Sequence, residues 1–260
     1  MHRPKLRVVK IGGKVLEVPE KLTEALQYFV SIEGPKILVH GGGKQANVII
    51  KALDIEPKMI NGRRITDAAT LEVVTMVYAG LVNKTVVSEL QRLGCNALGL
   101  SGADGNMIRA HKRIVTTTDY GFAGDIDEIN AKGLQQLLEL GFCPCFCAIT
   151  HDQKGQLLNT NADTIASSVA TAMAKGYEVE LQFCFEKGGV LTDPDDDGSV
   201  IPELTADSYQ QYKAEGVISA GMIPKLDNAF AAIEAGVYQI SIGHIEALQN
   251  QTATKILRQA

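Results

Sequence analysis

The order of apolar and polar positions divides the chain into short buried strands and amphipathic helices. Leu6–Ile11 is apolar except for Arg7 and Lys10 and closes on Gly12-Gly13. A short apolar run ended by glycines predicts a strand covered on both faces. Leu22, Ala25, Leu26, Phe29 and Val30 then recur at helical spacing, predicting a helix over Pro19–Ile32 that Gly34-Pro35 breaks. Lys36–His40 is a second apolar strand, ending in Gly41-Gly42-Gly43, with a helix from Lys44 to Leu53 behind it. Twice, therefore, a buried strand runs into a glycine turn and a helix. That order predicts a parallel sheet with right-handed crossovers, and it carries both glycine turns to one sheet edge.

Further along, Asn61-Gly62-Arg63-Arg64 reads as a turn, and Thr66-Asp67 caps a helix from Ala68 to about Gly80. That helix is apolar on two faces, as a core or subunit-interface helix would be. A second helical run, Val82–Leu93, is expected after a short break. Strands are predicted at Ala97–Ser101, within Met107–Thr118, at Asp125–Ile129, Cys143–Ile149, Gln156–Leu158, Leu181–Phe185 and, last, Gln239–Gly243. Helices are predicted from the Asn130 cap to Leu140, from Asn161 to Lys175, over Leu204–Ala214 and over Leu226–Ala235. The fold class that follows is α/β: an open, mostly parallel sheet between helix layers, an αβα sandwich.

Three polar residues disturb this pattern. Lys10 ends a buried strand, where an ammonium either snorkels to solvent or meets a partner at the sheet's carboxyl edge. Asp163 lies in a helix's first turn, where a carboxylate suits the dipole and could also organise cations. Lys225 follows Pro224 in another first turn, where a cation opposes the dipole unless an anion lies near.

Composition narrows the function classes. The 260 residues are 45% hydrophobic and 21% charged, enough for a full core and too apolar for disorder. The formal charge is -5 with no Lys/Arg cluster, which argues against a nucleic-acid partner. No uninterrupted apolar run approaches the ~18 residues of a membrane span, and the N-terminus enters a strand without a signal peptide's apolar core, so a cytoplasmic protein is expected. Cys143, Cys145 and Cys147 alternate, which on a strand spaces them about 6.6 Å apart, too far for one zinc to take all three; they read as core, and no metal site is expected. The acidic run Asp193–Gly198 reads as a solvated turn. The P-loop, dinucleotide-binding and protein-kinase glycine signatures are absent.

Taken together, Lys10-Ile11-Gly12-Gly13, His40-Gly41-Gly42-Gly43, Asn61-Gly62-Arg63-Arg64, Asn159-Thr160-Asn161-Ala162-Asp163 and Gly221-Met222-Ile223-Pro224-Lys225 resemble, in order and spacing, the motifs of the amino acid kinase family. The resemblance covers nearly the whole chain and is strongest to members that phosphorylate the side-chain carboxylate of N-acetyl-L-glutamate for arginine biosynthesis. It implies one domain over 1–260, with an acceptor lobe at about 1–175 and a nucleotide lobe at about 176–260. It implies ATP as co-substrate with Mg2+, a small N-acylglutamate partner, Lys10 and Lys225 acting on the transferring phosphoryl, and Asp163 holding both lysines. Gly42, Gly43, Arg64 and Asn159 would bind the acceptor. Gly12, Gly13 and the loop Glu186-Lys187-Gly188-Gly189-Val190-Leu191 would bind the nucleotide. Glu186-Lys187 departs from the small residue and Asp usual in relatives, and Lys44-Gln45-Ala46 departs beside the acceptor turn, which leaves N-succinyl-L-glutamate as an alternative acceptor. A non-catalytic sensor on this fold would be expected to have lost a lysine or Asp163. Arginine-inhibited relatives carry an N-terminal helix that joins dimers into rings; here the first strand starts by about residue 6, so a homodimer without the ring contact is expected.

Overall fold

The computed structural model describes residues 3–60, 63–218 and 222–258. Of the motif residues, Asn61, Gly62 and Gly221 lie outside these residues.

The first half follows the sequence pattern closely. Strand β1 (Lys5–Ile11), helix α1 (Pro19–Ser31), β2 (Lys36–His40) and α2 (Gly43–Ala52) form the repeated strand–glycine–helix unit. A small hairpin of β3 (Met59–Ile60) and β4 (Arg63–Arg64) follows. Asp67 then caps α3 (Ala68–Thr75) by accepting from the Thr70 amide. No break separates α3 from α4 (Asn83–Arg92): a π-helical segment, Met76–Val82, joins them. The buried positions explain why. Val77 and Val82, and likewise Tyr78 and Asn83, are five apart and all buried. Residues five apart in an α-helix point about 140° away from each other. The i→i+5 turn restores them to one side. The fused helix, Ala68–Arg92, is 25 residues long and passes the length and composition test for a membrane span, with 50% of that window buried inside the fold. Its inward side packs on α2, β5 and β8 (defined below).

Next come β5 (Ala97–Leu100), β6 (Ile108–Lys112), β7 (Gly124–Ile129), α5 (Ala131–Glu139), β8 (Cys143–Phe146), β9 (Ile149–His151), β10 (Leu157–Asn159) and α6 (Ala162–Met173). The continuous strand expected over Cys143–Ile149 is in fact two, β8 and β9, in different sheets. Cys145 and Cys147 are fully buried. The last quarter holds β11 (Glu178–Cys184), β12 (Glu203–Leu204), α7 (Ala206–Ala214), α8 (Ile223–Glu234), β13 (Gln239–Gly243), α9 (Ile245–Gln249) and β14 (Thr254–Ile256). Gln239–Gly243 is thus not the final strand. β14 is too short to show a period and joins the sheet through antiparallel pairing with β13.

Among the described residues the main sheet has eight strands in the order β12-β14-β13-β11-β1-β2-β8-β5, parallel except at β13–β14. Helices α1, α4 and α9 pack together, and α6 packs with α5 and α8 across the sheet. Smaller sheets hold β10-β9-β6-β7 and β3-β4. β1 lies at the reversal of strand order, with β2 on one side and β11 on the other, so its carboxyl end opens where such folds bind ligands. Val8, Val9 and Ile11 are completely buried beside Lys10.

A polar cluster is sealed under this edge. The fully buried His40 places Nδ1 2.7 Å from the Gly41 carbonyl. A carbonyl only accepts, so Nδ1 carries the hydrogen and Nε2 accepts from the Asn83 amide at 3.0 Å. The same amide donates to the Cys145 carbonyl at 3.0 Å, and Lys84 donates to the Asn83 side-chain oxygen at 3.1 Å. Replacing Asn83 by Ala leaves buried acceptors unpaired. We expect a loss of about 1–3 kcal/mol in denaturant unfolding, whereas truncating the exposed Leu81 to Ala should change it by no more than about 0.5 kcal/mol.

Candidate active site

Lys10 leaves the last turn of β1 between Val39 and Phe183 on the neighbouring strands. Its ammonium folds back over Gly12, 2.6 Å from where a β-carbon would stand. It meets Asp163 Oδ1 at 2.9 Å. Asp163 sits in the first turn of α6, whose cap residue Asn161 accepts from the amides of Asp163 and Thr164. The other carboxylate oxygen, Oδ2, takes Lys225 Nζ at 2.9 Å. Lys225 projects from the first turn of α8, with its ammonium 5.2 Å from the centre of the Phe183 ring. All three side chains are less than a fifth exposed.

The trio's electrostatics follow. Burial opposes charge on Asp163, but the two ammonium groups win and hold its carboxyl well below the usual carboxylate range. Burial and the repulsion of Lys10 lower the Lys225 pKa against the pull of Asp163. Two cations against one anion leave a surplus positive charge at the carboxyl end of β1. The neighbouring turn is bare. Gly13 adopts φ 55°, and Gly42, with φ 156°, heads α2 where the Tyr78 ring leaves no room for a β-carbon.

On one side of the trio lies a cavity of about 190 Å³ lined by Gly42, Gly43, Arg63, Arg64, Tyr78, Arg113 and Asn159. Arg64 is only 7% exposed. Its Nη2 donates to the Gly43 carbonyl at 3.0 Å, while Nη1 is buried with no partner. A buried guanidinium with a free N–H is a strong demand for an anion. Asn159 is held at the cavity wall by donating to Thr66 at 3.0 Å. Both adjacent arginines line the cavity. Arg63 is half-buried, and burial together with the nearby Arg113 lowers its pKa. Arg113, paired with Asp125, was not singled out from the sequence, because nothing in the charged hairpin β6–β7 marks which of its cations turns inward.

A second, apolar cavity of about 180 Å³ is lined by Phe185, whose ring centre is 6.0 Å from the Lys225 ammonium, and by Lys187, Gly189, Val190, Leu191, Ile218 and Met222. A flat aromatic base suits such walls. The expected nucleotide loop 186–191 therefore divides. Lys187 and Gly189–Leu191 line this cavity, whereas Glu186 turns away to the glycine turn. There its Oε1 accepts from the Lys14 amide at 3.2 Å and its Oε2 pairs with the Lys14 ammonium at 3.2 Å. Lys187 itself is paired with Asp197 at 2.6 Å. Gly188 and Gly189 pack on Val200, and Thr254 accepts from the Val190 amide at 2.8 Å, so this stretch also anchors β14. Phe185, Ile218 and Met222 carry no sequence signal beyond being apolar.

Among the described residues no group of three or more His, Cys, Asp or Glu could hold a metal ion. The two carboxylates nearest the glycine turn, Asp163 and Glu186, are already occupied by lysines. A magnesium ion here would be held by the oxygens of a bound polyphosphate.

The neutral state of His40 gives the site a pH dependence. Burial pushes its pKa down to about 4. The unfolded chain takes up this proton near pH 6.5, so between about 6.5 and 4 it binds a proton that the folded chain refuses. Stability should therefore fall on acidification across this window, by on the order of 3 kcal/mol. Thermal melts at pH 7 and pH 5 should show it, and His40→Gln should flatten the difference.

The description Amino acid kinase family matches residues 5–244. The chain is 53% identical to an acetylglutamate kinase of Parabacteroides distasonis, over 97% of this chain and 99% of that one. It is also 53% identical to an acetylglutamate kinase of Bacteroides thetaiotaomicron, over 98% and 99% of the two chains. A solved structure of N-acetylglutamate synthase from Neisseria gonorrhoeae, complexed with coenzyme A and N-acetyl-glutamate, superposes with a TM-score of 0.82 at 22% identity, covering 100% of this chain and 61% of that one.

Proposed function

The chain belongs to the amino acid kinase family, and from that premise we propose that it transfers the γ-phosphoryl group of ATP to the side-chain carboxylate of N-acetyl-L-glutamate, forming an acyl phosphate in arginine biosynthesis. The observation that carries this reading is the Lys10–Asp163–Lys225 trio, together with a cavity with an unpaired buried arginine and an apolar cavity fit for a base.

Phosphoryl transfer spreads negative charge over three equatorial oxygens while attacking and leaving oxygens lie roughly in line. Both reactants are anions, so the protein's work is to supply cations and N–H donors. Lys10 and Lys225 face the transferring group, and Asp163 spaces them. Gly12, Gly13 and Gly43 offer backbone amides. Arg64, with Asn159 and the Gly42-Gly43 turn, holds the acceptor's α-carboxylate. The attacking carboxylate is ionised at neutral pH, so no general base is required. Mg2+ enters on the nucleotide and neutralises part of its polyphosphate charge. Residues 1–175 serve as acceptor lobe and 176–260 as nucleotide lobe of one domain. The enzyme works in the cytoplasm as a homodimer. Exposed Met76 and Leu81 on the fused helix supply apolar surface for the twofold contact.

Arg63 and Arg113 favour a second reading of the acceptor. N-acetyl-L-glutamate brings one carboxylate for binding and one for reaction, yet three arginines line the cavity. N-succinyl-L-glutamate adds a carboxylate that would engage the additional cations.

Hydroxylamine trapping of the acyl phosphate, with ATP and each acceptor in turn, tests both readings. The two acceptors should differ at least tenfold in kcat/KM, about 1.4 kcal/mol; equal rates would show that the cavity does not discriminate. Lys10→Ala and Lys225→Ala should each lower kcat by about 10²–10³-fold with folding intact. Near-normal turnover of Lys225→Ala at saturating substrates would sink the assignment. Arg64→Ala should raise the acceptor KM more than it lowers kcat.

A further inference from the structure

Tyr78 stands among the acceptor-side residues although its π-helical segment, Met76–Val82, is otherwise apolar. It is 5% exposed, yet it lines the same cavity as Arg64 and Asn159. One edge of its ring lies against the turn, with carbons 2.8 and 3.1 Å from where a Gly42 β-carbon would be. Phenylalanine would fill that space equally well, so packing accounts for the ring and not for the hydroxyl. The hydroxyl reaches into the site. It lies 3.9 Å from the β-carbon position of Gly43, beside Arg64 Nη2 at 3.8 Å from the same point. The Arg64 charge beside the phenol counters part of the upward shift that burial gives the Tyr78 pKa. A guanidinium has no acceptor, so the phenolic hydrogen must point elsewhere.

We propose that Tyr78 is an acceptor-binding residue whose hydroxyl donates to the carboxylate held by Arg64, and that the π-helical segment exists to place it. This rests on the reading of the cavity as the acceptor site. Arg64 supplies charge from one side, while Tyr78 supplies an oriented neutral donor from the other. The pairing suits a planar carboxylate with four lone-pair positions. The π segment also lets Tyr78 and Asn83, five residues apart, both face the glycine turn. Tyr78 covers Gly42, and Asn83 reaches Gly41 through His40. In an α-helical register only one of the two could do so. Such segments recur at functional sites, where a regular helix cannot present the required pair.

The test is Tyr78→Phe, which keeps the ring on Gly42. Its acceptor KM should rise about tenfold or more, with kcat and the ATP KM within twofold of wild type. Calorimetric titration with the acceptor alone should show the same loss of affinity. A second acceptor, lacking the α-carboxylate altogether (an N-acyl-4-aminobutyrate), separates binding from structure. Wild type should lose affinity for it strongly, and Tyr78→Phe should lose little more, because both changes remove one interaction. An unchanged acceptor KM, or fully additive losses, would overturn the proposal while leaving the reaction intact. If wild type formed no acyl phosphate from either N-acylglutamate, the reading of the cavity would fall and this proposal with it.

Discussion

One carboxylate between two ammonium groups is the interaction on which the site depends. Lys10 and Lys225 come from opposite ends of the chain, and without Asp163 their mutual repulsion in a buried setting would drive one of them away or strip its proton. Asp163 makes the approach possible at 2.9 Å to each. The cost of burying the trio falls on several parts of the fold. β1 must end at the reversal point of the sheet, the Asn161 cap must set the first turn of α6, and α8 must start with a cation against its own dipole. That last misfit becomes sensible beside Asp163 and a bound polyphosphate.

The glycines serve the same end by different means. Gly12 has to be bare because the Lys10 ammonium occupies the space a β-carbon would fill. Gly42 has to be bare because Tyr78 lies on it. In each case the missing side chain makes room for another residue's side chain. Beneath the second turn, His40 fixes the Gly41 carbonyl and is itself fixed by Asn83. An ionisable ring kept neutral by burial adds no charge beside a site whose cations already repel one another.

What the sequence revealed and concealed divides along physical lines. Lys10 and Lys225 were legible because each breaks a local rule, a cation ending a buried strand and a lysine at a helix's positive end, whereas Asp163 was legible only as a carboxylate in a capped first turn, where it suits the dipole. Strands β1, β2 and β13 were legible because they are buried on both faces. The π turn was not, since its signature is a single five-residue step in the burial pattern, which reads as a helix apolar on two faces. The split between β8 and β9 was hidden because Cys143–Ile149 is apolar throughout, and apolarity does not say which sheet a residue joins. The pairing of Glu186 and Lys187 was hidden for another reason. Their partners, Lys14 and Asp197, are chosen by tertiary proximity that no spacing announces.

The placement of charge follows from the chemistry proposed. A hydroxyl acceptor would need a base, and a base beside two lysines would be pulled toward ionisation like Asp163. A carboxylate acceptor arrives ionised, so the site can hold cations alone near the reacting atoms. The acidic groups then take supporting positions, Asp163 between the lysines and Glu186 on Lys14. A chain of net charge -5 can bind two anions in this way because the field that matters is local. Around the Lys10–Asp163–Lys225 trio, buried cations outweigh acidic residues dispersed on a screened surface.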